Sequence, residues 1–496
     1  MTALIFRLVH CFIFANEIIP GSDQMQEIML GRKFASGDFH GVLDTYWAPF
    51  YPILIGIASF FIDSPVVPAA LVSVLAGSLI VPLTYILVRQ SYEQRESLIA
   101  SSIALFFPHL INSVVAVGSE NVFIALALGV LIVTWNALMT GSKMLYLAAG
   151  ILLGLAYLTR PEAIGYSLYL VLIIVAHNFW RKKLFLKTAF PQIAALLLGF
   201  SLFATPYVLY LRSETGMWTV SGKAKINTIV GEFNEGPDGL EPSVQNSPVK
   251  EFVKYFLLNL VEVQKMLSAL FPLLLWLFIS LGLFVVPWEK DRIEREMFLL
   301  LFVLVTVLGY AAAVVQLRYF YVLLPILFGW TANGIVRFVE WLLDTASRQN
   351  SEVTFLLRPR PLTVLAIAVV FLYVLPLNFY MRSNDRQWET SGYEEREAGL
   401  WLRQNAKTQP YVFSASRRPT FYAEARQLAP ATENIDAILS EIKEQKVDYV
   451  VTSDRSLKRN TFLSGFDEIL RNDSDFELVY EKKPRKGYGI LIFKRK

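Results

Sequence analysis

Acidic and basic side chains that could do chemistry lie where apolar segments of this chain end. Asp23 follows a first apolar segment, residues 3–20, and opens a loop that is rich in acids and aromatics. Ionisable residues near a membrane are costly, so they are commonly functional. A carboxylate at the mouth of a first membrane span could meet both a lipid-borne and a water-borne substrate. The alternative is a solvated charge that marks the end of the span.

Further polar residues lie at the ends of predicted spans that open on the same side of the membrane. They are Glu27, Asp38, His40 and Asp44 in the first loop, Glu120 after the third span, Arg160 and Glu162 after the fifth, and Arg318 with Tyr319 before the tenth. An arginine suits phosphate because its planar fork is always charged and can bond two oxygens. A carboxylate within hydrogen-bond reach can take the proton of an attacking hydroxyl. The set therefore suggests a site that binds an anionic lipid head group and activates a hydroxyl.

Each of these residues also has a structural explanation. Arginines at span ends, such as Arg160 and Arg318, commonly extend to lipid head groups. Glu120 and Glu162 stand at expected helix starts, where the helix dipole favours an acid. Asp38 belongs to a Gly-Asp turn. A functional site is favoured because all of these residues are predicted to lie on the same side of the membrane.

The composition indicates an integral membrane protein. Of the 496 residues, 54% are hydrophobic and 18% are charged, and the mean hydropathy is +0.44, whereas about a quarter of the residues of a soluble protein are charged. Apolar stretches long enough for a bilayer core of about 30 Å recur along the chain. The net charge of +4 comes from short loops between spans and not from a nucleic-acid-binding patch. The single cysteine, Cys11, excludes an intramolecular disulfide.

Eleven membrane spans are predicted, with the N-terminus in the cytoplasm. They lie near residues 3–20, 66–88, 97–116, 120–139, 144–158, 162–180, 189–211, 268–287, 296–315, 319–341 and 361–381. The basic clusters then fall in cytoplasmic loops at every turn, in agreement with the positive-inside rule. Residues 48–62 are apolar but short for a crossing, and counting them would place those clusters outside. We therefore expect a helix that lies in the outer membrane face.

Two domains follow from this topology. Residues 1–384 form a polytopic α-helical transmembrane domain with outer loops at 21–65 and 212–267. The second loop is rich in Gly, Pro, Asn and Ser, so it is expected to be irregular. Residues 385–496 form a small extracytoplasmic α/β domain, which we expect to recognise an acceptor or to cover the cavity.

The tail domain carries clear helix and strand signals. Helices are predicted at 393–406 and 435–445, the second with Asn434 as N-cap. The segments YVFSAS, VDYVVTS, FELVYEKK and GILIFKRK predict strands. Asp473-Ser474-Asp475 matches a D-x-D pattern that can hold a metal with a nucleotide sugar, but in so small a domain a solvated turn is expected.

Several motifs along nearly the whole chain together resemble one family. They are Asp23 with the stretch after it, WAPFYPILIG, the pair Ser119-Glu120, LTRPEA, LRYFYVLLP and the tail that begins YEEREAGLWLRQNA. In this order they resemble the GT-C membrane glycosyltransferases, and among them the protein mannosyltransferase and lipid A aminoarabinose transferase group. The resemblance implies a sugar donor carried on a polyprenyl or dolichyl phosphate and an acceptor hydroxyl. It also implies inversion at the anomeric carbon, on the non-cytoplasmic face.

The resemblance assigns the catalytic acid of the family, which lies just after the first span, to Asp23 as a general base. Relatives often have an acidic pair at this point, whereas Gln24 follows Asp23 here, which weakens the case for a metal between adjacent carboxylates. A divalent cation held by Asp23, Glu120 and the donor phosphate is left open, and no other cofactor is expected.

Negative charge builds up on a lipid-phosphate leaving group, which therefore needs cations close by. Arg160 and Arg318 are the candidates, with Lys223 and Lys225 of the second outer loop as mobile alternatives. The supporting acids are Glu27, Asp44, Glu120 and Glu162. A flexible loop that closes over the donor would exclude water and limit wasteful hydrolysis.

Other functions are left open by the residues. A transporter or flippase for a lipid-linked sugar would need polar groups near the midplane, whereas here they gather at one face. A non-catalytic scaffold whose tail binds a partner would leave the co-facing charges unexplained. A polymerase or ligase of surface polysaccharide would use the same class of donor. The short loops favour a prokaryotic inner or plasma membrane, and the sugar and the acceptor stay open.

Overall fold

The computed structural model describes residues 1–14, 19–181, 185–222, 248–285, 290–347, 392–406, 409–483 and 488–496, with the single positions 361, 364 and 368. Lys223, Lys225 and most of the predicted span at 361–381 lie outside the described residues. The chain forms two compact units. One comprises Met1–Phe14, Leu30–Phe61 and Ala69–Phe379, and the other comprises Ala15–Met29, Ile62–Pro68 and Tyr380–Lys496.

In the described residues up to Ser347, all regular secondary structure is helical. The helices are α1 Thr2–Ile13, α2 Ser22–Ala35, α3 Phe50–Ser59, α4 Val67–Arg89, α5 Gln94–Phe106, α6 Pro108–Val115, α7 Glu120–Thr140, α8 Lys143–Thr159, α9 Ile164–Trp180, α10 Phe185–Thr215, α11 Pro248–Leu270, α12 Leu273–Phe284, α13 Lys290–Ala311 and α14 Leu324–Ser347. Short 3-10 turns at Pro161–Ala163 and Leu317–Leu323 precede α9 and α14. By length and composition, five described helices could cross a membrane, or up to seven if each of two bent pairs is one span. The predicted polytopic helical fold is confirmed.

Helices α8 and α10 come together closely because glycines face each other's backbone. A Cβ on Gly150 would lie 2.0 Å from the carbonyl oxygen of Leu196, and one on Gly199 would lie 2.3 Å from that of Leu147. Small residues are the usual means by which helices in a membrane approach closely, since packing takes the place of a hydrophobic driving force there. This contact fixes α8, whose last turn leads to Arg160.

The span predicted at 97–116 contains a helix break that was not predicted, although the bent pair can still be one span. Helix α5 ends at Phe106, α6 begins at Pro108, and the two axes differ by 44°. A proline has no N–H, so the carbonyl of Ala104, four residues earlier, loses its helical partner. Arg7 of α1 takes that place, since its Nη2 donates to the Ala104 carbonyl at 3.4 Å.

The irregular loop predicted at 212–267 is corrected from Pro248 onward, and a sharp bend that was not predicted lies near the start of the span predicted at 268–287. From Pro248 onward the chain is helical, and α11 meets α12 at an angle of 98°. Phe256, Leu260, Val263 and Leu267 recur at helical spacing and pack toward the core. The prediction of an irregular loop rested on the glycines, prolines and asparagines that precede α11, and it was extended wrongly over the amphipathic segment that follows them.

The apolar segment 48–62 contains the ten-residue helix α3. Tyr51 and Ile55 of this helix are fully buried. Close contact with α2 comes from Gly56, where a Cβ would lie 2.7 Å from the carbonyl of Gly31. The position of α3 in the outer membrane face stays a prediction.

The tail contains a five-stranded sheet with helices packed against it. Its elements are α15 Tyr393–Asn405, β1 Tyr411–Ser414, α16 Arg417–Ala423, β2 Arg426–Leu428, α17 Ile435–Glu444, β3 Tyr449–Ser453, α18 Asp454–Arg459, α19 Phe466–Asn472, β4 Phe476–Lys482 and β5 Ile490–Arg495. The strand order is β2-β1-β3-β5-β4; β1 pairs in parallel with β2 and β3, and β5 pairs in antiparallel with β3 and β4. Both predicted helices and all four predicted strands are confirmed, and the three-residue strand β2 was not predicted.

Local signals in the tail act as expected. Asn434 caps α17, because its Oδ1 accepts hydrogen bonds from the amides of Asp436 and Ala437 at 2.9 and 3.2 Å. Alternating side chains place Phe413 in the core on one side of the sheet and Val412 in the core on the other.

Glu395 of α15 joins this helix to the ends of β1 and β3. Its side chain is 2% exposed. Ser416 Oγ donates to Glu395 Oε2 at 2.8 Å, and Arg418 Nη1 lies 3.2 Å from the same oxygen. Ser453 Oγ donates to Glu395 Oε1 at 3.3 Å. The buried carboxylate is therefore satisfied by a charge and by hydroxyls, as a buried charge requires.

The D-x-D segment forms a turn, as predicted, and it is also ion-paired. The amide of Asp475 donates to Asp473 Oδ1 at 2.9 Å. Nζ of Lys443 lies 2.7 Å from Asp473 Oδ2 and 2.9 Å from Asp475 Oδ2. Although partial burial alone raises the pKa of Asp473, the hydrogen bonds from Lys443 and from the Asp475 amide bring that pKa below its usual value.

This turn predicts a loss of tail stability in acid. Because the folded pKa of Asp473 is lowered, its contribution to stability is present above the unfolded pKa of about 4 and disappears as the pH falls through the folded pKa. Below about pH 4 we expect the amides of β5 to lose protection, measured as their exchange rate relative to unfolded peptide at the same pH. Asp473→Asn is expected to reduce this pH dependence. Hydrogen exchange read by mass spectrometry tests it, with Glu433→Gln in an exposed loop as control. An unchanged pH profile in Asp473→Asn would contradict the prediction.

Candidate functional site

Glu120 brings two arginines together in the helical unit. Its Oε1 lies 3.2 Å from Nη1 of Arg160 and 3.4 Å from Nη1 of Arg318. Glu120 is the first residue of α7, Arg160 directly follows α8, and Arg318 lies in the 3-10 turn before α14. Three segments that are far apart in the sequence therefore meet at one carboxylate. These are residues that the sequence predicts to share one side.

Arg160 is the buried member of this pair. Its side chain is 9% exposed, and its Nη2 lies 3.3 Å from Oε1 of Glu162. The guanidinium carbon lies 4.5 Å from the ring centre of Tyr319 and 5.7 Å from that of Phe123, within the range of cation–π attraction. Two carboxylates and two rings thus hold Arg160 in place. Its Nε has no hydrogen-bond partner among the described residues.

Arg318 is the accessible member. Its side chain is 32% exposed, and its Nε donates to Oε1 of Gln316 at 2.9 Å. The guanidinium carbon lies 5.6 Å from the centre of the Tyr319 ring that Arg160 also contacts. Of the two predicted phosphate-binding arginines, Arg318 therefore presents more surface to a ligand, whereas Arg160 organises the cluster.

Aromatic residues that the sequence analysis did not single out enclose the cluster. Tyr310 stacks on Tyr319 with ring centres 5.0 Å apart. Phe123 stacks on Tyr166 at 6.2 Å, and the hydroxyl of Thr306 donates to that of Tyr166 at 3.2 Å. Exclusion of water by these rings strengthens the ion pairs, because charges attract more strongly at low dielectric constant. Their only sequence signal is the general richness in aromatics, which does not separate them from the core.

The acids of the first outer loop divide between the two units. Asp44 forms a turn, since its Oδ1 accepts hydrogen bonds from the amides of Tyr46 and Trp47 at 2.7 and 2.9 Å. This turn accounts for Oδ1 of Asp44, and its role as a supporting acid stays a prediction. Asp23 lies in the first turn of α2, and Glu27 is buried one turn further along the helix. Both belong to the unit that contains the tail.

An apolar cavity of about 580 Å³ runs beside α7. Its lining side chains come from α3, α4, α7 and α8 and include Leu54, Leu75, Leu79, Val122 and Leu126. Val122 follows Glu120 by two residues, so the cavity and the charged cluster share the first turns of α7. The volume falls in the range of about 300–1,000 Å³ that is usual for ligand sites, and the lining suits a hydrocarbon chain.

The charges of the cluster disfavour a metal ion at Glu120. The two arginines next to this carboxylate would repel a divalent cation. Within the described ranges, no group of three or more His, Cys, Asp or Glu side chains is placed to hold a metal. A cation held by Asp23 and Glu120 stays a prediction, and the arginines argue against it.

Known proteins share sequence features and the fold with this chain. Residues 47–209 match the family model of dolichyl-phosphate-mannose-protein mannosyltransferases. No curated protein matches the sequence. The matched range contains the WAPFYP motif, Glu120, Arg160 and Glu162.

Solved structures resemble the chain over nearly its whole length. ArnT from Cupriavidus metallidurans bound to undecaprenyl phosphate has a TM-score of 0.61 and 13% identity, covering 99% of this chain and 97% of that one. Its apo form has a TM-score of 0.62 and 13% identity, covering 98% and 97%. The oligosaccharyltransferase AglB from Archaeoglobus fulgidus, in complex with an inhibitory peptide and a dolichol-phosphate, has a TM-score of 0.52 and 14% identity, covering 100% and 74%.

These matches confirm the resemblance found in the sequence. The chain has the fold of ArnT and AglB, which is the GT-C fold that the sequence resembles, and residues 47–209 match the mannosyltransferase model. Both the helical membrane part and the small C-terminal sheet domain belong to that fold.

Proposed function

We propose that this chain is an inverting glycosyltransferase that moves a sugar from a polyprenyl-phosphate donor to an acceptor hydroxyl on the non-cytoplasmic face of the membrane. The observation that carries the proposal is a partly exposed arginine, Arg318, which pairs, together with Arg160, with one carboxylate, Glu120, at the start of the helix that lines an apolar cavity. A lipid phosphate has the same two parts, an anionic head and a hydrocarbon chain. The lipid phosphates in the ArnT and AglB structures support this class of donor.

The proposed reaction is a single displacement at the anomeric carbon. Asp23 takes the proton of the acceptor hydroxyl as the new carbon–oxygen bond forms. The bond from the anomeric carbon to the phosphate oxygen breaks, and its electron pair goes to the phosphate. The phosphate thereby changes from a diester with one negative charge to a monoester, which carries more. Arg318 stabilises this added charge, as fixed cations do at a developing anion.

Most of the other predicted residues have a place in this proposal. Arg160 and Glu162 hold Glu120 and the aromatic rings, so that Arg318 meets the phosphate in a fixed geometry. Lys223, which lies outside the described residues, is a second candidate ligand for the phosphate. Glu27 is the proposed supporting acid near Asp23. The protein is proposed to reside in a prokaryotic inner or plasma membrane with a cytoplasmic N-terminus and an extracytoplasmic tail.

Removal of the Arg318 side chain tests the phosphate site. A charge-assisted hydrogen bond contributes about 1.5–3 kcal/mol, so Arg318→Ala is expected to weaken binding of undecaprenyl phosphate by about 10- to 100-fold. Binding is measured by native mass spectrometry of the purified protein in lipid nanodiscs, with a titration of the lipid.

The matched control is Arg212→Ala. Arg212 is exposed near the end of α10, where its guanidinium lies 5.5 Å from the ring centre of Trp218. Its loss removes one positive charge outside the cluster, and the affinity is expected to stay the same. Equal affinities of Arg318→Ala and the wild type would place the phosphate elsewhere.

A further inference from the structure

The turn between α6 and α7 has a backbone conformation that its sequence does not favour. Val117 has a φ of 49°, in the left-handed region that β-branched residues rarely adopt. Its side chain is fully buried. Strain of this kind persists only where the surroundings hold it, and it occurs often at functional sites. Glu120, which pairs with both arginines, follows three residues later.

Tyr51 of α3 holds this turn. Its hydroxyl donates to the carbonyl of Val117 at 2.6 Å. The hydroxyl oxygen of Tyr51 also lies 3.3 Å from Oγ of Ser73 in α4. The ring is fully buried, so its position is fixed by the packing of α3. Tyr51 is the tyrosine of the WAPFYP motif, a sequence feature to which the proposed reaction gives no role.

A second set of contacts fixes the two helices that the turn connects. Oγ of Ser113 in α6 lies 2.9 Å from Oδ1 of Asn121 in the first turn of α7. Arg7 is 1% exposed and donates from Nη1 to the carbonyl of Leu110 in α6 at 2.7 Å. Both ends of α6 are therefore anchored. With the helices fixed, the hydrogen bond from Tyr51 acts on the turn itself.

We propose that Tyr51 is a positioning residue for the phosphate site. Its hydrogen bond to the carbonyl of Val117 stabilises the left-handed turn, which sets the start of α7 and with it the carboxylate of Glu120. Glu120 in turn holds Arg318 where it meets the lipid phosphate. This inference rests on the proposed function, since it takes Arg318 as a phosphate ligand.

A pair of substitutions separates positioning from simple packing. Tyr51→Phe keeps the buried ring and removes only the hydroxyl, and it is expected to weaken binding of undecaprenyl phosphate about tenfold. Val117→Gly removes the strain, because glycine adopts positive φ without steric cost. In the Val117→Gly background, Tyr51→Phe is therefore expected to change the affinity less than twofold. An equal loss in both backgrounds would overturn the inference.

Tyr169→Phe is the matched control. Tyr169 is also fully buried, and its hydroxyl also donates to a backbone carbonyl of another helix, that of Phe298 at 2.8 Å. The control is expected to bind undecaprenyl phosphate as the wild type does, even if its melting temperature falls as much as that of Tyr51→Phe. Equal losses of affinity in the two variants would show a general packing effect and overturn the inference.

Hydrogen exchange gives a second measurement on Tyr51→Phe alone. Amides of residues 117–123 are expected to exchange faster than in the wild type, with no change in β5 of the tail. Unchanged exchange of residues 117–123 would overturn the inference, whether or not the glycine variant folds.

Arg318→Ala separates the two proposals. If it binds the lipid normally, the phosphate site is wrong, whereas if it loses binding and Tyr51→Phe does not, only the positioning role is wrong.

Discussion

Replacement of Asp23 by asparagine is expected to slow sugar transfer by about 10²- to 10⁴-fold while the lipid-linked donor stays bound. Asparagine has nearly the same size as aspartate but cannot take the proton of the acceptor hydroxyl, and a general base contributes a factor of this order. Asp23 lies in the first turn of α2. Mass spectrometry of the lipids that co-purify with the variant identifies the donor, and single-turnover release of polyprenyl phosphate measures the rate.

Asp63→Asn is the control for this experiment. The Asp63 side chain is 97% exposed and its Oδ1 lies 3.4 Å from Nη2 of Arg403, a surface contact of little energetic weight. We expect its transfer rate to match that of the wild type. If Asp23→Asn also transfers at the wild-type rate, Asp23 is not the base. A variant that carries only ordinary phospholipids, despite added candidate donors, would favour the scaffold function.

Glu120→Gln is expected to destabilise the helical unit by about 3 kcal/mol. The substitution removes the charge that pairs with Arg160 and Arg318, and Arg160 then stays buried with only Glu162 as an acidic partner. Loss of one member of a buried ion pair costs about 3–5 kcal/mol, because the remaining charge is desolvated without compensation. The measurement is the unfolding transition of the purified protein in detergent, followed by heat or by denaturant.

Glu262→Gln makes the same chemical change at an exposed ion pair. Glu262 and Lys265 lie 2.6 Å apart on the surface of α11. Exposed pairs contribute about 0–1 kcal/mol, so this variant is expected to unfold close to the wild type. The same unfolding transition in both glutamine variants would contradict the buried character of the Glu120 cluster.

The broad fold could be predicted because a bilayer requires long apolar spans and favours basic residues in the cytoplasmic loops. Helices α4 and α7 agree with predicted spans to within one residue at each end. The two helix breaks could not be predicted in the same way. A helix bends at Pro108 or Pro272 only if other groups satisfy the carbonyls that the bend releases. At Pro108 that group is Arg7, which lies about a hundred residues away in the sequence.

The site could be predicted only in part, for a related reason. The side shared by Glu120, Arg160 and Arg318 follows from topology, which is a property of whole spans. The difference in exposure between the two arginines depends on which rings surround each of them, and Tyr319 and Phe123 come from segments far apart in the sequence, the 3-10 turn before α14 and α7. The cap at Asn434 was predictable because its partners lie two and three residues away.

The buried Glu395 has a consequence for the tail as a whole. In a doubly wound sheet, ligands bind at the carboxyl ends of the strands where the chain order reverses, and here that point lies between β1 and β3. Ser416 and Ser453, which stand there, are both bonded to Glu395. The domain thus places a carboxylate of its own at these strand ends, where it takes up the hydroxyls of Ser416 and Ser453 and the guanidinium of Arg418.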